Sequence, residues 1–164
     1  MISASTFWRT VICGFIATFV MAMVGFLQGG VGLPVIDIGH FGKESLNQVH
    51  ANGPYTIVWG NLAYLIGGIL LALIWVVFLH KRIPGNWLVK GLIYGVIISL
   101  GAGLIVSPLV SLAAGDAVGI FYYDTWTPGL IMLAGLTMHL AYGIVLLLCL
   151  KYAGVEGVEQ KPET

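Results

Sequence analysis

One histidine stands in the middle of a long apolar run. His139 lies in GLTMHLAYG, residues 135–143, and its nearest charged neighbours along the chain, Asp124 and Lys151, fall well outside that stretch. At 1.5 Å per helical residue it sits roughly 16 Å from the end of its run at Leu150. An ionisable group at such depth in an apolar medium costs several kcal/mol unless something meets it. Two chemistries are open to it. In the first, a neutral imidazole shares a hydrogen bond with Tyr64, Ser99, Asn61 or Thr18 across a helical bundle and adds roughly 1 kcal/mol of cohesion. In the second, Gly135 and Gly143, one turn to either side, leave flat space for the face of haem b or the head of a quinone. Tyr64 then joins the site, and the second axial position of a haem falls to Met21 or Met23, or to His139 of a second copy.

The other ligand-type residues point elsewhere. His40 and His50, with Asp37 and Glu44, have the chemistry of a surface metal site, but their spacing fits no standard ligand pattern and they read as solvated loop residues. His80 adjoins Lys81 and Arg82 and reads as part of a basic anchoring cluster. Met21, Met23, Met132 and Met138 are thioethers of the kind that favour Cu(I), yet such residues commonly fill gaps between helices. Cys13 and Cys149 read as small packing residues that stay reduced, and no disulfide or metal site is expected of them. No phosphate loop, nucleophile elbow, zinc-protease helix or paired-carboxylate site is present. All seven acidic residues lie outside the apolar runs, which disfavours an ion-coupled transporter. A nucleic-acid partner is not expected, because topology accounts for the few basic residues.

The elements that must position His139 follow from composition. Of 164 residues 59% are hydrophobic and 9% charged, far below the charged share of a soluble domain, which is about 25%. A hydrocarbon core takes about 20 apolar residues per helix, and four runs meet that length: 10–27, 55–79, 91–114 and 128–150. The sequence therefore predicts one all-α domain over 1–164, a four-helix antiparallel transmembrane bundle, with a polar tail at 152–164. The first run is long for a signal-peptide core and is followed by no small-residue cleavage site, so it reads as a retained span. Arg9, Lys81, Arg82, Lys90, Lys151 and Lys161 share one face and only Lys43 the other, which puts both termini in the cytoplasm. Trp8, Trp75 and Trp87 then form the inner aromatic belt, and Tyr55, Trp59, Tyr122, Tyr123 and Trp126 the outer one.

Span three carries small residues at every fourth position: Gly91, Gly95, Ser99, Gly103, Ser107, Ser111 and Gly115. In lipid such stripes let helix backbones approach closely, so this face is a packing surface. Span one repeats the pattern with Gly14, Thr18 and Ala22, and span four with Gly135, His139 and Gly143. Pro108 has no N–H for the carbonyl of Leu104 and bends the far part of span three. The short turn HKRIPGNW makes spans two and three neighbours. Asn61-Leu-Ala-Tyr64 echoes His139-Leu-Ala-Tyr142, as a duplicated hairpin would, and in that case Asn61 and His139 both face the interior. The long loop GGVGLPVIDIGHFGKESLNQVHANGP carries apolar residues among polar ones, so part of it is expected to lie as a short interfacial helix, and the loop GDAVGIFYYDTWTPG is aromatic and acidic.

The order of GFIATFVMAMVGF in span one, the GLPVIDIGHFG turn, small-residue-rich middle spans and a last span with His ahead of Tyr-Gly resembles an uncharacterised group of small four-span prokaryotic membrane proteins. That resemblance implies an accessory subunit of a larger respiratory or oxidase-type assembly. The expected function is thus a non-catalytic subunit of the prokaryotic cytoplasmic membrane. It packs against other integral subunits, or against copies of itself, through the span-three stripe Gly91, Gly95, Ser99, Gly103 and Ser107 and the aromatic outer loops. The alternative is a redox or ligand-holding subunit in which His139 binds haem b or a quinone.

Overall fold

The computed structural model describes residues 2–35, 56–114 and 128–155. The outer-loop segments with His40, His50, Asp37 and Glu44, the aromatic run 121–126 and most of the tail lie outside the described residues, as do the interfacial helix and, Trp59 of the second span excepted, the outer belt expected there. Helix α1 spans Ala4–Leu27, α2 Thr56–Ile74, α3 Trp87–Gly101, α4 Ser107–Ala114 and α5 Pro128–Tyr152. A π-helical turn, Trp75–Leu79, extends α2, and a second, Ala102–Val106, joins α3 to α4. The described residues are all-helical, with four helices long and apolar enough to cross a membrane: Ala4–Val31, Gly60–Leu79, Trp87–Leu109 and Gly129–Tyr152.

Local chemistry sets the ends. The Ser3 hydroxyl accepts from the Thr6 N–H at 3.1 Å and caps α1, and the Asn86 side chain accepts from the Val89 N–H at 3.0 Å and caps α3, each satisfying one of the first-turn donors a helix leaves unpaired. The first span stops at Gly32 (φ 84°) and the last at Gly154 (φ 63°), left-handed positions where a side chain would clash. The π turn Ala102–Val106 sits directly ahead of Pro108, whose missing N–H leaves the Leu104 carbonyl without its helical donor. The expected bend is therefore a widened turn.

The packing order is α2, α1, α5, α3: α1 packs on both α2 and α5, and α5 also packs on α3. Close approach of backbones makes each contact. A Cβ on Gly14 would come 2.8 Å from the Ala72 Cβ and 3.1 Å from the Ile69 Cα, so α1 and α2 meet through Gly14 and Thr18 against Gly68 and Ala72. A Cβ on Gly95 would come 2.7 Å from both the His139 carbonyl oxygen and the Leu140 Cα, and one on Gly91 2.9 Å from the Gly143 oxygen. Gly91 and Gly95 of the stripe are thus spent on α5 inside the bundle. Ser107 is wholly buried.

Spans two and three are neighbours only near the turn that joins them, where the Trp75 and Tyr94 rings meet and the Tyr94 side chain reaches the α2 backbone. The more extensive helix-to-helix contacts run through α1 and α5. Trp75 is likewise not a belt residue. It is fully buried, its ring 4.8 Å from that of Tyr94, since its helix face looks into the bundle. Trp8 is 62% exposed and does lie on the outside.

Candidate functional site

A cleft of about 730 Å³ opens between α2 and α3, with α5 and Met21 of α1 as its floor. Two tyrosines fix its inner wall. Tyr94 Oη donates to the Leu71 carbonyl at 2.6 Å and Tyr142 Oη to the Gly68 carbonyl at 2.5 Å, tying α3 and α5 to α2 near the end that holds the His80–Asn86 turn. Beyond them the walls carry glycines with no neighbour. A Cβ added at Gly67, Gly101 or Gly135 would meet nothing within 4 Å, and all three line the cleft.

His139 lines this cleft with Tyr64, Met21 and Gly135. Its Nδ1 lies 2.6 Å from the Gly135 carbonyl oxygen. A carbonyl only accepts, so Nδ1 carries the proton, and in a neutral ring Nε2 is left with a lone pair. None of the cross-bundle partners expected for the ring is found among the described residues. The Thr18 hydroxyl donates to the Gly14 carbonyl at 2.7 Å, and the Tyr64 hydroxyl, its oxygen buried, has no partner. Asn61 is exposed whereas His139 is half-buried, so the two members of the echo do not occupy equivalent places.

Tyr64 and His139 lie to the same side of the Tyr142–Gly68 contact and line one cleft. Tyr142 and Gly68 are in contact, and α2 and α5 run the same way. His139 is three residues back from Tyr142 and Tyr64 four back from Gly68, displacements of about 4.5 and about 6 Å toward the same end. The arrangement offers one fixed acceptor and one hydroxyl without a partner among the described residues, in a recess that is apolar but for Ser99 and the tyrosines. An unmade hydrogen bond of this kind costs about 1–3 kcal/mol.

Four of the five residues singled out around His139 therefore come together: Met21, Tyr64, Gly135 and His139 itself. Gly143 does not. A Cβ there would run into the Gly91 carbonyl and 2.9 Å from the Gly95 nitrogen, so its face is filled by α3 and gives no flat space to a ligand. Met23 points outward, 38% exposed, while Met21 is 3% exposed. Of the stripe, Ser99 and Gly103 line the cleft.

Three polar residues carry contacts that the pattern of runs does not single out. Gln28 is buried. Its Nε2 donates to the Pro34 carbonyl at 2.8 Å, and its Oε1 lies 2.9 Å from the Thr137 hydroxyl, which is also 2.8 Å from the Ala134 carbonyl, so that hydroxyl's single proton serves one or the other. Tyr94 is the third; an Oη inside an apolar run needs an acceptor, and that was the available signal.

At the other end, Arg9 Nη1 donates to the Ala153 carbonyl at 2.8 Å and pins the start of α1 to the end of α5. Lys90 is buried and its Nζ lies 3.4 Å from the His80 carbonyl. Burial holds the His80 imidazole below its ordinary value near 6.5, with Lys81 and Lys90 adding to the effect.

No family model, curated protein or solved structure matches this chain.

Proposed function

We propose that the chain is a membrane-embedded holder of a neutral, ring-bearing, lipid-soluble molecule of the quinone class, taken sideways from the bilayer into the cleft between α2 and α3. The observation that carries this is the His139 ring, whose Nδ1 is committed to Gly135 and whose other nitrogen belongs to an uncharged cleft. A volume of about 730 Å³ falls within the range of small-molecule sites, about 300–1,000 Å³. Glycine walls suit a flat ring, and Ile97, Ile105 and Leu70 suit an apolar tail.

Haem b is the competing occupant, and His139 and Met21, which both line the cleft, are the residues that would hold its iron. It fits less well. A haem carries two propionates, and no Lys or Arg is among the described residues that line the cleft, so none of these offers their charge a partner.

The molecule's place is proposed as the prokaryotic cytoplasmic membrane with both termini inside. The support is that Arg9, Lys81, Arg82, Lys90 and Lys151 gather at one end of the bundle, as the cytoplasmic bias of basic residues predicts. Service beside a larger respiratory or oxidase-type complex rests on the resemblance of the sequence. As a purely packing subunit the chain has less to offer, since Gly91 and Gly95 already face α5.

Purification in lipid nanodiscs, an absorption spectrum and solvent extraction of bound lipids test this. The expected result is no Soret band and a quinone-class molecule retained at near one per chain, lost in His139→Phe. A Soret band, or no ring-bearing molecule retained, overturns it.

A further inference from the structure

The cleft does not treat the two redox forms of such a molecule alike. We infer that it selects the reduced, hydroxyl-bearing form, a quinol, over the quinone; this rests on the binding function proposed above and sharpens it. The ground is the tautomer. Gly135 sits one turn ahead of His139, and its carbonyl oxygen, 2.6 Å from Nδ1, holds the proton on that nitrogen. Moving it to Nε2 would set two lone pairs against each other at Nδ1. Adding a second proton would place a cation in a recess with no Asp or Glu among the described residues that line it. Nε2 is thus a fixed acceptor.

A fixed acceptor distinguishes a ligand O–H from a ligand C=O. The O–H of a quinol donates to Nε2, whereas a quinone carbonyl oxygen at the same place faces a lone pair and leaves Nε2 unsatisfied. Tyr64 does not discriminate, because its unpartnered hydroxyl donates equally well to a quinone carbonyl or a quinol oxygen. His139 therefore sets the selectivity and Tyr64 contributes affinity to both forms.

The test uses the full chain in nanodiscs under anaerobic conditions with three probes of one alkyl-substituted ring: the hydroquinone, the quinone and the dimethyl ether of the hydroquinone. The ether keeps the shape of the reduced ring and has no O–H. The wild type is expected to bind the hydroquinone about tenfold more tightly than either of the others, the effect of one satisfied against one unsatisfied hydrogen bond. His139→Gln, whose amide both donates and accepts, is expected to bind hydroquinone and quinone within about twofold of each other. Tyr64→Phe is expected to weaken both forms alike and leave their ratio unchanged. Saturable binding of all three probes with equal affinity, or tighter binding of the quinone, by the wild type overturns the inference and leaves the binding function standing. No saturable binding of any probe overturns the binding function itself. Since the wild type alone decides between these outcomes, failure of a variant to fold does not blunt the test.

Discussion

The interface between α3 and α5 and the gap between α2 and α3 are both lined with glycine, and they use it in opposite ways. Against α5, the hydrogen faces of Gly91, Gly95 and Gly143 are covered by backbone, with a hypothetical Cβ at or below 2.9 Å from its neighbours. Across the gap, Gly67, Gly101 and Gly135 face open space. In lipid a bare glycine face gains from dispersion contacts only if another helix reaches it. A glycine left uncovered therefore marks either a lost contact or room kept for a guest. The polar groups separate these: tyrosine hydroxyls at the closed margin are bonded to carbonyls, while that of Tyr64 has no partner.

Alanine substitution breaks the comparison most sharply. Gly95→Ala and Gly143→Ala force backbones apart and are expected to lower stability by about 1–3 kcal/mol, the range for overpacking, seen as a fall in melting temperature in nanodiscs. Gly67→Ala, Gly101→Ala and Gly135→Ala meet no neighbour and are expected to hold or gain stability, by up to about 1 kcal/mol from helix propensity, while lowering ligand retention. Equal losses in both sets would show that the gap is closed in the membrane.

The tyrosines sharpen the same contrast at smaller scale. Tyr142→Phe and Tyr94→Phe each remove a bond to a carbonyl of α2 and are expected to cost about 1 kcal/mol. Tyr64→Phe removes an orphaned hydroxyl and is expected to leave the ligand-free protein as stable or more so, measured by the same melts after lipid extraction. Gln28→Leu leaves the Pro34 carbonyl without its donor, while the Thr137 hydroxyl keeps the Ala134 carbonyl, and its cost is also expected near 1 kcal/mol.

Much of the fold was legible because lipid thickness dictates it. The runs at 10–27, 55–79, 91–114 and 128–150 fall on the four long helices, with ends shifted by a few residues where Ser3 and Asn86 supply caps. The Gly91–Gly95 stripe was legible as a packing face, because small residues at every fourth position do little else in lipid. What it packs against was not. Sequence adjacency suggested that α2 and α3 pair, and hairpin connectivity overrode neither the Gly14–Gly68 fit nor the Gly95–His139 fit. Trp75 read as a belt residue from its place near a span end; the face it occupies, toward Tyr94, decided otherwise. Gly135 and Gly143 are indistinguishable by spacing from His139, yet only Gly135 is open.

The smallest expected effect lies at the turn. His80 has a lowered pKa in the fold, so the unfolded chain takes up a proton near pH 6.5 while the folded chain resists until the pH is lower. Stability is full above about pH 6.5 and declines as pH falls through the window down to the folded value. Melting temperature should drop modestly over that range, and His80→Gln should flatten the drop; a wild-type curve as flat as the variant's would show the imidazole is not held away from water.

Whether a lipid-soluble ring enters between α2 and α3 is most directly read by photolabelling. A photoreactive aryl probe bearing a phenolic O–H and an alkyl tail, irradiated with the protein in nanodiscs and mapped by mass spectrometry, is predicted to mark Met21, Tyr64, Met138 and His139, with marking suppressed by excess unlabelled hydroquinone. Marking confined to outward residues such as Phe15, Phe19 and Leu62, or unaffected by competitor, would contradict it.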